Sequence, residues 1–141
     1  MMTKRTWLPV VVLAVLSLAV VACGRAPVKT DPLAKNEDGY IDITVEQLAE
    51  KMENKDFTLV NVHIPYEGDL PQTDLSIPFD EIEVNLDRLP DRNAPVVLYC
   101  RSGSMSTSAA GKLADLGYTN VMELDGGMRA WTAAGFELVR Q

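Results

Sequence analysis

The chain has 141 residues, 47% of them hydrophobic, and a formal net charge of −7. That length accommodates one domain with a modest core. Lys4 and Arg5 stand apart at the N-terminus, and without them the balance is −9, which argues against nucleic acid as a partner.

After Lys4 and Arg5 comes a 16-residue apolar run, WLPVVVLAVLSLAVVA, residues 7–22. A membrane-spanning helix needs roughly 20 apolar residues, so a shorter run behind a basic start has the proportions of a signal-peptide core. It closes on Val20-Val21-Ala22-Cys23, which resembles the lipobox of bacterial lipoproteins. The resemblance implies that residues 1–22 are removed and that Cys23 carries the lipid. A diacylglyceryl group would then hold the domain to a membrane outside the cytoplasm, at the cell surface or in the periplasm. An uncleaved anchor would place it on the same side. Residues 23–39 continue as GRAPVKTDPLAKNEDG after Cys23, show no apolar periodicity and read as a tether. With Cys23 modified, Cys100 is the one thiol left and has no disulfide partner, which marks it as a candidate reactive group.

Residues 40–141 form the expected domain. YIDI (40–43) is a strand candidate. Thr44 with Gln47 three residues on is a capping-box signature, and Val45, Leu48, Ala49 and Met52 share one helical face. FTLVNV (57–62) is a β-rich run, and residues 63–76, with Pro65, Gly68 and Pro71, read as an ordered loop. SIP (76–78) allows a short strand. Asp80 is expected to cap a helix, with Glu83 at the reciprocal position, Ile82, Leu86 and Leu89 as its buried stripe, and Pro90 as its stop. PVVLYC (95–100) is apolar without alternation, as a central parallel strand covered on both faces would be. Met105, Ala109, Leu113 and Leu116 mark a helical face ended at Gly117. NVMEL (120–124) is a strand, and GGMRAWTAA opens a short helix ended at Gly135. The alternation predicts an α/β fold: an open, central parallel sheet of about five strands with helices on both faces.

Cys100 ends the central strand and stands before a helix. Ligands of open parallel sheets bind beyond the carboxyl ends of the strands. A tight loop of backbone N–H groups leading into a helix N-terminus makes an anion site there. Gly103 permits the turn, and Ser102, Ser104 and Ser106 are small enough to cap or donate. A helix dipole contributes roughly 0.3–1 kcal/mol, up to about 2, against about 1.4 kcal/mol per pKa unit. The dipole alone therefore lowers a thiol by about one unit, and loop amides must supply the rest. The opposing reading is a buried, inert strand-end cysteine.

VVLYCRSGSMS (96–106) resembles the strand and six-residue active-site loop of rhodanese-like domains, Cys100 to Met105. LDGGMRAW (124–131) is similar to that family's Leu-x-Gly-Gly-x-x-x-Trp signature, and LVNVHIPYE (59–67) stands where the family often has Leu-x-Asp-Val-Arg-x-Pro-x-Glu. The resemblance covers residues 40–141. It implies a sulfurtransferase in which Cys100 takes a sulfane sulfur as a persulfide, cradled by the amides of Arg101, Ser102, Gly103, Ser104 and Met105, and passes it on by ping-pong chemistry. The implied partners are thiosulfate, a polysulfide or a persulfide as donor and a thiol or protein as acceptor. No metal or organic cofactor is needed.

The chain departs from the family where Asn61 stands for the usual Asp and His63 for the usual Arg, so any bracing of the loop by that pair is expected to be neutral. EGDLPQTDLSIP (67–78) replaces the usual Gly-His-Ile-Pro-Gly loop. Arg101 is read as steering an anionic donor, as pointing to solvent or as paired with an acidic neighbour. His63 is read as a structural hydrogen-bonding residue ahead of a catalytic base, and Glu67 as structural on the same rim. Met105, Met128 and Trp131 are read as packing residues, and Gly126 and Gly127 as a strand-to-helix turn. Two rival functions follow. A cysteine phosphatase would need Arg six residues after the nucleophile, where Ser106 stands. A non-catalytic or redox-sensing binding lipoprotein is the rival from another class.

Overall fold

The computed structural model describes residues 33–140. The expected signal segment, Cys23 and most of the tether lie outside the described residues. No described helix is long and apolar enough to cross a membrane.

Five strands form one parallel sheet: β1 (Ile41–Ile43), β2 (Thr58–Asn61), β3 (Leu75–Ser76), β4 (Val96–Tyr99) and β5 (Val121–Leu124), in the order β1-β5-β4-β2-β3. The fold class is as the alternation predicts. The apolar run at 95–100 is the central strand, and every residue of β4 is buried. Side chains alternate across a strand, which splits the core in two. Val96, Leu98 and Cys100 face a layer with Val60, Val121, Ala109, Ala110 and Leu113, whereas Val97 and Tyr99 face Leu48, Met52, Met122 and Trp131.

Helix α1 (Val45–Glu53) starts as expected. Thr44 Oγ1 accepts from Gln47 N at 3.3 Å and Gln47 Oε1 accepts from Thr44 N at 2.8 Å. Helix α2 (Ser104–Asp115) lies on the opposite face and begins two residues before Ser106. Its cap is Gly103 in the left-handed region, so no side chain occupies the helix's first amides. Helix α3 (Gly127–Ala133) buries Met128 and Trp131, as read from sequence.

Residues 79–88 depart from expectation. The segment Phe79–Arg88 is a 3-10 helix with a non-helical break at Asn85, and Pro78, not Asp80, stands at its cap with no side-chain bond. Asn85 Nδ2 donates to Glu81 O at 2.8 Å, so a side chain takes the carbonyl that an α-helical N–H would use. Ile82 and Leu89 are nonetheless buried, with Leu86 packed against the same cluster.

Candidate active site around Cys100

β4 ends at Tyr99, and Cys100 follows with its side chain on the α2 face of the sheet, 1% exposed. The chain reverses over residues 101–103, with Gly103 at φ 99°, and enters α2. Gly103 N–H donates to Cys100 Sγ at 3.1 Å, and the Ser106 hydroxyl reaches it at 3.3 Å. Burial pushes the thiol pKa up. The Ser106 hydroxyl and the backbone amides of Ser106, Ser102 and Gly103 outweigh it, and the thiol ends below its ordinary value. Ser106 thus joins the loop named from sequence. The side chains of Arg101, Ser102 and Ser104 are exposed, and Met105 packs against the core.

The loop is held from behind by α3. Met128 N–H donates to Cys100 O at 2.9 Å and Arg129 N–H to Arg101 O at 3.0 Å. The approach is close enough to require glycine: a Cβ on Gly127 would fall 2.2 Å from Cys100 O, and Gly127 has φ 54°. The glycine pair therefore borders the site by supporting its backbone.

Asn61 makes no hydrogen bond to the Cys100 loop among the described residues; it joins a different polar cluster. Asn61 is fully buried, and its Nδ2 donates to Gly68 O at 3.0 Å and to Asp69 Oδ1 at 2.9 Å. Asp69 also accepts from Tyr66 (2.8 Å) and Tyr99 (3.2 Å). A carboxylate is present after all, eight residues further along, because the neutral Asn61 has an N–H to offer it. Asn61 Oδ1 accepts from His63 N at 2.9 Å. The His63 ring is buried, yet neither ring nitrogen completes a hydrogen bond among the described residues, so the bonding role expected of it falls to its backbone. Its Nε2 lies 3.4 Å from Glu67 Oε2.

Glu67 also pairs with Arg101, Nη1 to Oε1 at 3.2 Å, and the Arg101 side chain is half exposed. A shallow cavity of about 190 Å³ opens here, lined by Glu67, Arg101, Met128, Arg129, Thr132 and Leu138. Clefts of about 490 and 500 Å³ lie elsewhere and include no residue of the loop.

Sequence reading missed Glu123. It alternates with Val121 onto the α2 face of β5, pairs in register with Leu98 and Asp42, and is 2% exposed. Its Oε1 lies 2.5 Å from Ser106 Oγ. Burial, then the charges of Asp42 and Asp125, push its carboxyl up to about 7 against a single opposing hydrogen bond from Ser106. A charged residue inside the apolar run Val-Met-Glu-Leu was the available signal.

A model of the rhodanese-like domain family matches residues 44–134. A sulfurtransferase from Allochromatium vinosum is 33% identical over 102 residues, covering 70% of this chain and 94% of that protein. A thiosulfate sulfurtransferase, GlpE, of Pseudomonas fluorescens is 43% identical over 44 residues, 31% of this chain and 40% of its own. The crystal structure of a rhodanese-like domain protein from Staphylococcus aureus superposes with a TM-score of 0.61 at 30% identity, covering 71% of this chain and 97% of the other.

Proposed function

From the premise that this chain belongs to the rhodanese-like domain family, we propose that it is an exported sulfurtransferase that carries sulfur as a persulfide on Cys100. The observation that carries the proposal is the convergence of the Gly103 N–H and the Ser106 hydroxyl on Cys100 Sγ at the head of α2, which lowers the thiol pKa. The Cys100 thiolate attacks the outer sulfur of a sulfane donor. A sulfur–sulfur bond forms, the donor's own bond to that sulfur breaks, and the leaving group departs with the electron pair, as sulfite from thiosulfate. The charge left on the new persulfide sits on its outer sulfur, one S–S bond beyond Sγ, and the backbone amides of residues 101–105 are the donors proposed to face it. An acceptor thiolate then attacks the terminal sulfur, takes it, and returns Cys100 to the thiolate.

The donors we propose are thiosulfate, a polysulfide or a low-molecular-weight persulfide. They enter beside Arg101 and Arg129, and the acceptor is a thiol. Ser106 stands where a cysteine phosphatase has the arginine that clamps a phosphoryl group, six residues after the nucleophile. Intact-mass measurement tests the reading. Incubation with each donor adds the mass of one sulfur, and the gain is lost in Cys100→Ala. No adduct with any of the three donors overturns it.

The placement outside the cytoplasm rests on residues 4–23, the apolar run closing on Cys23. Metabolic labelling with a fatty-acid analogue tests it. The label is incorporated in the native chain and absent in Cys23→Ser, and an unlabelled native chain refutes the anchor.

A further inference from the structure

Ser106 Oγ has three acceptors in reach: Cys100 Sγ at 3.3 Å, Gly103 O at 3.1 Å and Glu123 Oε1 at 2.5 Å. A hydroxyl has one proton to give, and Gly103 O already accepts from Thr107 N at 2.9 Å. The chain Sγ–Oγ–Oε1 therefore has two self-consistent arrangements. With Glu123 ionised, Ser106 donates to the carboxylate and its oxygen accepts the thiol S–H. With Glu123 protonated, the carboxyl donates to Ser106, and Ser106 donates to the thiolate.

We propose that Glu123 is a positioning residue that holds the proton of the Cys100 thiol, taken up through the Ser106 hydroxyl. The exchange balances within the site. The S–H bond breaks as Ser106 gains that proton, Ser106 releases its own to Oε1, and one negative charge is kept throughout with no change of oxidation state. The surroundings favour one shared charge over two. Asp42 on β1 and Asp125 at the end of β5 add negative potential, and among the described residues no salt bridge reaches Glu123. A carboxylate and a thiolate on either side of one hydroxyl repel, so ionising one group keeps the proton on the other. The proposal rests on Cys100 as the nucleophile and extends that reading to how the nucleophile is made.

The test follows Cys100 alkylation by iodoacetamide against pH in the full chain, read on the Cys100 peptide by mass spectrometry. A coupled pair gives the native protein a two-step profile. In Glu123→Gln the side-chain amide donates to Ser106 permanently, so the profile collapses to one step lying below the native upper step. Ser106→Ala slows alkylation at neutral pH about tenfold or more, because the thiolate loses a charge-assisted bond. A single-step native profile that superimposes on that of Glu123→Gln overturns the proposal and leaves Glu123 as a support for Ser106. Should Glu123→Gln fail to fold, carboxyl-carbon NMR of Glu123 decides. A two-step titration in the native chain that becomes single-step in Cys100→Ala supports coupling, and identical curves refute it. None of these measurements needs a sulfur donor, so their failure is separable from a failure of sulfur transfer.

Discussion

Asp69 and Glu123 are both buried, at 3% and 2% exposure, and stand on either side of the central strand, one beyond β2 and one on β5. Asp69 accepts from three donors, Asn61 Nδ2, Tyr66 OH and Tyr99 OH. Glu123 has Ser106 alone among the described residues, and faces Asp42 and Asp125. The donors around Asp69 replace the water that burial removes, whereas Glu123 is left under-solvated and its carboxyl moves to about 7. Depth does not decide what a buried carboxyl becomes. The number of N–H and O–H groups aimed at it does, and here that number separates a structural anchor from a group that trades a proton.

Removing each carboxyl should break the comparison in opposite directions. The largest effect is expected for Asp69→Ala, which removes the charged acceptor that the buried Asn61 and Tyr99 share and should cost about 3–5 kcal/mol in urea unfolding. Glu123→Gln should act the other way above neutral pH. The folded-state pKa lies above the ordinary 4.5, so the native chain's stability should fall as pH rises from 4.5 through about 7. At about 1.4 kcal/mol per pH unit, that slope amounts to about 3 kcal/mol. Glu123→Gln should flatten it and leave the variant the more stable protein at high pH, measured by unfolding across the range. A pH-independent native stability would show that Glu123 is solvated by something other than Ser106.

A third carboxylate sharpens the contrast from the exposed side. Glu67 is 38% exposed and pairs with Arg101 at 3.2 Å, with His63 Nε2 lying 3.4 Å away. Water screens such pairs, so Glu67→Gln should leave stability within about 1 kcal/mol. By freeing Arg101 it should lower KM for thiosulfate by up to about fivefold, a gain that added salt should erase.

Local signals carried most of the fold. The capping box at Thr44 and Gln47 and the unbroken apolar run at 96–99 each report a structure set by neighbours in sequence, and both elements stand where they were expected. Asp80 misled because the helical turns already begin at Phe79, whose N–H donates to Val62 O and whose cap position is taken by Pro78. Asn85 then takes a backbone carbonyl for its own side chain. At the site, Cys100 and its loop were legible from one continuous stretch. The Ser106–Glu123 contact spans 17 residues and arises only when β5 pairs beside β4, so Glu123 looked like one more strand residue. Asn61 looked like a lost charge for the same reason: the carboxylate that compensates it arrives from Asp69, across the turn.

Gly127 touches neither the sulfur nor any atom that reacts with it. In a trans peptide the C=O and N–H vectors point in opposite directions. Arg129 N–H draws the Arg101 carbonyl toward α3, which turns the next N–H, that of Ser102, the other way, and Ser102 N–H is one of the amides that lower the thiol pKa. Only a residue without a Cβ lets α3 come close enough to set that dipole. The acidity of Cys100 is thus written partly in a hydrogen atom 27 positions downstream, and a single methyl group there would reach it by rotating a peptide plane.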